Sequence, residues 1–281
     1  MNVVIQFLFE NIAVRGTICQ IDSAWRHIHK VHPLPSSVKT LMGEAIAGSL
    51  LVSGQLKNLQ HTSLQIRGGK FLPLLVSDVH KGKIRAMAQI QQDADMPIDA
   101  NFSELINGAV LALVMTPEEG EQYQGIVDTS ASSLSGAMKD FFEQSEQVKS
   151  WLRLYSDDNS CTGLLLQKMP DTEEAMCTDD DWQRLNFISD TLKNKEMQTL
   201  TPIEILQRLF AEDSVRLVRE QPLVSECQCS REKLEKALFS IGEIACKELL
   251  ADRSTIDSKC DFCQKNYSFD RDQIHKIFYS L

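Results

Sequence analysis

Glu226-Cys227-Gln228-Cys229-Ser230-Arg231-Glu232 and, further along, Cys260-Asp261-Phe262-Cys263 decide how the C-terminal part of this chain folds. Residues 230–259 separate a C-x-C pair from a C-x-x-C pair. Structural zinc takes four tetrahedral ligands, and two close pairs on separate turns are the usual way a chain supplies them. Each pair clips one turn, and the metal joins the turns. The ligand set read from the sequence is therefore Cys227, Cys229, Cys260 and Cys263, holding one Zn2+ per chain in the reduced state. Four thiolates leave no open position for a water, which argues against a hydrolytic zinc. A module of roughly 55 residues has little core of its own, so a metal contributing ~10–16 kcal/mol of apparent binding energy can decide whether it folds.

Spacing alone leaves two readings of that site open. One is an inert zinc knuckle. The other is a redox switch, because zinc holds the sulfurs as thiolates, the form that reacts with peroxide or hypochlorite. Each pair is also close enough in sequence to close on itself as a disulfide. The C-x-C ring would be the more strained of the two and the slower to close.

The flanking residues suggest short helices. Ser230 is placed to cap a helix through Phe239, Glu243–Leu250 makes a second, and Asp270 caps a last one. Upstream, Asp171, Glu173, Glu174 and Asp179 to Asp181 make an acidic stretch with no basic residue between Met169 and Gln183, read as a solvated loop. Trp182, Leu185, Ile188 and Leu192 then fall on one helical stripe. Thr201-Pro202-Ile203-Glu204 is a capping box with proline at the first helical position, and Ile205, Leu209 and Phe210 give that helix an apolar face. Residues 176–222 are thus expected to form a helical linker. Isolated helices below ~12–15 residues are marginal in water, so these need a surface to lean on.

The segment before it mixes strands and helices. Val3–Phe9 and Ala13–Ile21 carry β-branched and aromatic residues at strand density. Between Leu34 and Leu56 apolar residues recur at helical spacing, at Val38, Leu41, Met42, Ala45, Ile46, Val52 and Leu56. Leu64–Arg67, Phe71–Asp78 and Ile84–Ile90 read as strands, with turns at Gly68-Gly69 and Lys81-Gly82-Lys83. Ala109–Thr116 and Gln122–Asp128 flank a proline-led hairpin turn, a helix runs from about Ser133 to Glu146, and Trp151–Tyr155 pairs with Leu164–Lys168. Hairpins with interspersed helices predict an α+β fold. The expected organisation is a mixed sheet/helix core domain over 1–175, the linker over 176–222, and a small zinc-binding domain over 223–281.

Composition narrows the function. A formal net charge of −10 over 281 residues repels phosphate backbones, so nucleic acid is a poor first guess for a partner. No stretch approaches the ~20 apolar residues that span a bilayer, and the N-terminus has no basic leader. The chain is expected in the cytoplasm with no membrane partner, and eight cysteines in that reducing compartment do not suggest a disulfide framework. Cys19, Cys161, Cys177 and Cys246 are isolated and read as small buried hydrophobes. His27, His29 and His32 look like a metal cluster, yet 27 and 29 point to different faces of a helix, so they read as structural. Gly68-Gly69-Lys70 lacks P-loop spacing, and neither G-x-S-x-G nor H-E-x-x-H occurs, so no enzyme is expected.

The module Glu226 to Glu232, then Cys260 to Cys263 and Tyr267, resembles the zinc module of the heat-shock protein 33 family, redox-regulated holdase chaperones. The likeness extends over essentially the whole chain. It includes Phe7-Leu8-Phe9-Glu10-Asn11 with Ala13-Val14-Arg15-Gly16, and Gly120-Glu121-Gln122-Tyr123-Gln124-Gly125. Ser145-Glu146-Gln147 after a double Phe, and Leu164-Leu165-Leu166-Gln167-Lys168-Met169-Pro170, also fit. Lys149-Ser150 departs from the family's Pro-Thr and puts the local turn in question. The resemblance implies a mechanism: under oxidative stress Cys260 pairs with Cys263 and Cys227 with Cys229, zinc leaves and the linker unfolds. The exposed surface then holds unfolded client proteins, often as a homodimer, without ATP.

Two other functions compete with that one. A zinc ribbon that binds nucleic acid or ribosomes needs a basic, aromatic surround, but residues 227–281 balance nine Lys/Arg against nine Asp/Glu. A thiol–disulfide oxidoreductase needs C-x-x-C opening a helix near a βαβ unit, and the run around Cys260 is hairpin-like.

Overall fold

The N-terminal strand β1 (Asn2–Phe9) buries both of its faces. Val3, Ile5, Phe7 and Phe9 enter one hydrophobic core and Val4 enters another, which is why the run reads as nearly continuous apolar sequence. It pairs antiparallel with β2 (Val14–Ile21), where Gly16 lies opposite Phe7. A Cβ on Gly16 would stand 2.0 Å from Phe7 Cζ, so the ring requires a glycine beneath it. α1 (Ser23–Lys30) leads into α2 (Ser36–Gln55), the helix predicted between 34 and 56. α2 is apolar on all sides, with Val38, Met42, Ile46 and Leu50 fully buried, because it runs between two sheets. The computed structural model describes residues 1–55, 59–91, 97, 99–173 and 175–279, so Leu56 of that helix and Glu174 of the acidic stretch lie outside the described residues.

The chain continues through β3 (Leu59–Arg67), β4 (Leu74–His80), β5 (Lys83–Gln89), a single turn α3 (Phe102–Leu105), β6 (Val110–Pro117) and β7 (Tyr123–Val127). Lys81 and Gly82 both adopt positive φ in the predicted turn between β4 and β5, the geometry that matches strand twist in a two-residue hairpin. α4 (Leu134–Gln144) is capped by Ser133, and the hairpin of β8 (Ser150–Ser156) and β9 (Cys161–Lys168) follows. The turn put in question by Lys149-Ser150 is made: Gln147 reverses the chain with φ 55°. The Val148 amide then donates to Phe142 O at 2.9 Å.

After an acidic loop come α5 (Asp179–Asp190), α6 (Asn194–Thr199) and α7 (Pro202–Leu209). The predicted capping box forms, with the Thr201 amide donating to Glu204 Oε2 at 2.8 Å and the Glu204 amide to Thr201 Oγ1 at 3.3 Å. These helices lay Trp182, Leu185, Met197, Ile205 and Phe210 on the face of Val3, Ile5, Phe7, Ile18 and Leu164. The predicted helical character of 176–222 stops at residue 209. Residues 215–222 are instead a strand, β10 (Val215–Pro222), paired antiparallel with β1, because the apolar edge of β1 requires a backbone partner. A two-residue strand β11 (Val224–Ser225) ends this part. One sheet has the order β10-β1-β2-β9-β8 and the other β11-β5-β4-β3-β6-β7, with α2 between them. The architecture is α+β, as the hairpins predict. By contact the chain forms two units, Met1–Ser225 and Glu226–Leu281, so residues 176–222 belong to the first. No helix among the described residues is long and apolar enough to cross a membrane.

Candidate metal centre

In the second unit Ser230 caps α8 (Arg231–Ile241) through the Lys233 amide at 3.3 Å, as the sequence predicts. Cys227 and Cys229 therefore sit just ahead of a fixed helix start. Lys233 Nζ also donates to Gln228 O at 2.8 Å and holds the C-x-C backbone. α9 (Glu243–Leu249) leads to a hairpin of β12 (Thr255–Lys259) and β13 (Asn266–Asp270), whose connection is the C-x-x-C knuckle. There the Cys260 amide donates to Lys265 O at 3.0 Å and the Gln264 amide to Cys260 O at 2.8 Å. Gln264 takes φ 61°, a left-handed conformation that tightens the knuckle. Asp270 then caps α10 (Arg271–Tyr279) through the Gln273 amide at 2.8 Å. Arg231 links the two halves: its guanidinium lies 4.3 Å from the Phe269 ring centroid and donates to Gln273 Oε1 at 2.7 Å.

These elements bring four sulfurs together. Cys227 Sγ lies 3.7 Å from Cys260 Sγ and Cys229 Sγ 3.4 Å from Cys263 Sγ. All four fall within 4.8 Å of one another. A tetrahedron with metal–sulfur bonds of about 2.3 Å has edges of about 3.8 Å, so the donor set fits a tetrahedral metal. All six edges of such a figure are equivalent, so proximity selects no disulfide pairing. Tyr267, one register pair from the knuckle, donates its hydroxyl to Cys229 Sγ at 3.1 Å. The charge balance of the metal-free cluster is uneven. Burial drives the Cys227 thiol up to about 12. Burial also opposes ionisation of Cys229, but the Tyr267 hydroxyl and the neighbouring thiols draw it down to about 7. Four thiolates this close need a cation to share them.

The other candidates fall away from the centre. Cys246 is buried in the small core of this unit with Leu238, Leu250, Ile256, Phe269 and Ile274. Its thiol points to Leu238 O at 3.7 Å. Cys19, Cys161 and Cys177 are buried in the first unit. His29 packs on Trp25 and contacts Asp158 O at 3.0 Å, a structural role. Gly68-Gly69-Lys70 forms a turn, with the Gly68 amide donating to Pro73 O at 2.9 Å. The Tyr267 hydroxyl is the member that sequence reasoning missed. The residue stands in the family-like motif, but only the hairpin register aims it at Cys229.

An α+β chain whose smaller unit gathers four thiols within 4.8 Å of one another defines a class: proteins with a C-terminal four-cysteine cluster that could hold a metal ion. Comparison with known proteins narrows it. The family model described as "Hsp33 protein" matches residues 2–270. The 33 kDa chaperonin of Nitrosococcus oceani is 32% identical over 274 residues, covering 97% of this chain and 93% of the relative. That of Methylobacillus flagellatus is 34% identical over 277 residues, with the same coverage. A solved 33 kDa chaperonin (heat shock protein 33 homolog) from Thermotoga maritima superimposes with a TM-score of 0.82 at 17% identity, covering 99% of this chain and 98% of that one. This last likeness speaks to fold alone. The chain belongs to the Hsp33 family, and that membership together with its relatives' names supports a chaperone.

Proposed function

We propose that this chain is an ATP-independent holdase, switched on by oxidation of Cys227, Cys229, Cys260 and Cys263 and serving to keep unfolded proteins from aggregating under oxidative stress. The observation that carries the reading is the gathering of four half-exposed thiols, all within 4.8 Å, in a unit with only a small core. Bound there, one Zn2+ would keep the sulfurs as thiolates and tie the C-x-C turn to the C-x-x-C knuckle.

Oxidation closes each pair in two displacements. One thiolate attacks peroxide, giving a sulfenic acid and hydroxide. Its partner then attacks that sulfur and releases a second hydroxide, so one peroxide is reduced for each disulfide formed. The pairs are Cys260 with Cys263 and Cys227 with Cys229. Closure of Cys260 with Cys263 already removes two of the four donors, so the small unit loses its fold at that step.

The client surface follows from the linker. α5, α6 and α7 span 12, 6 and 8 residues, too short to persist alone, and they cover an apolar sheet face. Melting them uncovers that face for unfolded clients, and two oxidised copies associate as a homodimer. The chain works in a reducing compartment, the cytoplasm, where oxidation is a signal. Suppression of aggregation of a thermally unfolding client, measured with reduced and with peroxide-treated protein, tests the reading. Equal protection by both would sink it.

A further inference from the structure

β10 is an unusual cover for the strand it pairs with. Its partner β1 is buried, and Val3 to Phe9 contain no charged residue. β10 has no buried residue at all, and even Leu217 and Val218 are 47% and 43% exposed. Residues on paired positions share a face. Leu217 and Val215 answer Phe7 and Phe9, but beyond an irregularity at Val218 the residues opposite Ile5 and Val3 are Glu220 and Pro222. A carboxylate and a ring without an N–H therefore stand where apolar, hydrogen-bonding residues would complete the layer. Beside the apolar half a surface groove of about 520 Å3 lies among Ile203, Leu206, Phe210, Val215 and Leu217.

Backbone pairing holds β10 in place, since its side chains contribute little. Its ladder is continued at both ends by main-chain bonds, Glu10 amide to Ser214 O at 2.9 Å and Leu223 amide to Asn2 O at 3.0 Å. The strand runs between α7 and Cys227 in sequence, so unfolding on either side pulls on it. Charges at Arg216, Arg219 and Glu220 and a terminal proline keep the outer edge of β10 from recruiting another strand. β1 has none of these protections. Stripped of β10, it is a long, uncharged, β-branched and aromatic edge, the kind that captures extended polypeptide by main-chain hydrogen bonds and alternate side-chain pockets.

We propose that β10 is a tethered stand-in for client: it lets go when α5–α7 melt, and the vacated edge of β1 pairs with an extended, alternately apolar segment of an unfolded polypeptide. This rests on the holdase reading above and names the form in which client is held. Once α5–α7 have melted, apolar client residues opposite Val3 and Ile5 re-cover side chains that are buried in the closed form, where β10 sets only Glu220 and Pro222 beside them.

Hydrogen exchange on the full chain tests it, with aggregation suppression of a chemically unfolded client measured in the same samples. On oxidation the β1 amides that face β10, those of Val4, Gln6 and Leu8, are expected to exchange at least about tenfold faster while their neighbours stay paired with β2, and saturating client returns them to the reduced-state rate. A synthetic peptide with the sequence of residues 215–222 competes with client. Its Glu220→Val form competes at about tenfold lower concentration, since burying one aliphatic side chain is worth about a decade in affinity. The same peptide N-methylated at alternate amides does not compete. Suppression of aggregation while these β1 amides stay exposed, or while they stay paired with β10, overturns the inference and leaves the holdase intact. Recovery of protection without client, as the oxidised chain is concentrated, assigns the edge to a second copy and also overturns it. Absence of suppression in the oxidised protein overturns both.

Discussion

Tyr267 on β13 donates its hydroxyl to the sulfur of Cys229, the second cysteine of the opposite pair, at 3.1 Å. The contact fixes the direction of one sulfur of the proposed ligand set from outside that set. Loss of such outer partners costs 10–100-fold in metal affinity. Tyr267→Phe is expected to retain zinc about tenfold less well in competition with a chromogenic chelator. Unchanged retention would show that the contact carries no weight in the centre.

Stripping the metal should unfold one unit and spare the other. The second unit relies on a small core around Leu238, Phe269 and Ile274, whereas the first has two large ones. Trp25, Trp151 and Trp182 all lie in the first unit. Chelation at low temperature should strip hydrogen-exchange protection from residues 226–279 and leave tryptophan emission unchanged. Protection that persists in metal-free protein would show that the metal does not hold this fold.

Only the clustered thiols should react. Cys19, Cys161 and Cys246 have no exposed surface and Cys177 has 2%. Burial pushes the Cys19 thiol up to about 12, with Cys161, Cys177 and Cys246 also raised. A raised thiol value means less thiolate at every pH below it, so native alkylation of Cys19 should stay negligible at neutral pH. Peptide mapping after peroxide should find bridges confined to residues 227, 229, 260 and 263, with 260–263 the earlier. A bridge containing Cys19 or Cys246 would refute the assignment.

Arg184 on α5 holds Asp213, in the turn before β10, through two bonds at 2.6 and 3.2 Å. The pair ties the start of the linker to its end. Arg184 is 41% exposed, so solvent screening limits its worth to about 1 kcal/mol. Asp213→Asn should therefore lower, by a few degrees, the temperature at which the oxidised protein becomes active, with Trp182 emission shifting in parallel. If activation temperature and emission move apart, linker melting is not the activating step.

Much of this was legible in the sequence because the deciding signals are local. The Thr201–Glu204 box, the Ser230 and Asp270 caps, the hairpin turns and the apolar run of α2 each follow from residues within a turn or two of one another. The cysteine cluster was equally legible, since thiol pairs at such spacing have few other uses. β10 was not. Val215, Leu217 and Val218 are interleaved with Arg216, Arg219 and Glu220, and nothing in that pattern names a strand until the bare edge of β1 is supplied. Nor could sequence show that the face carrying Val3, Ile5 and Phe7 lies under α5–α7, because strands buried on both faces look alike whatever covers them. The reach of the Tyr267 hydroxyl is likewise a product of hairpin register.

The sheet β10-β1-β2-β9-β8 separates two cores that need not share a lifetime. The one around α2 is closed on its far side by the second sheet, independently of α5–α7. In the proposed cycle the linker can therefore be reset without refolding the core around α2. Residues 176–222 leave and return as a loop anchored by the standing strand β9 ahead of them, and their binding template survives each excursion. Return of the linker is then a docking step with little chain left to search, and its rate is that of short helices condensing on a ready surface. Reduction of the disulfides, metal binding and refolding of the small unit then set how long the proposed chaperone remembers an oxidative insult.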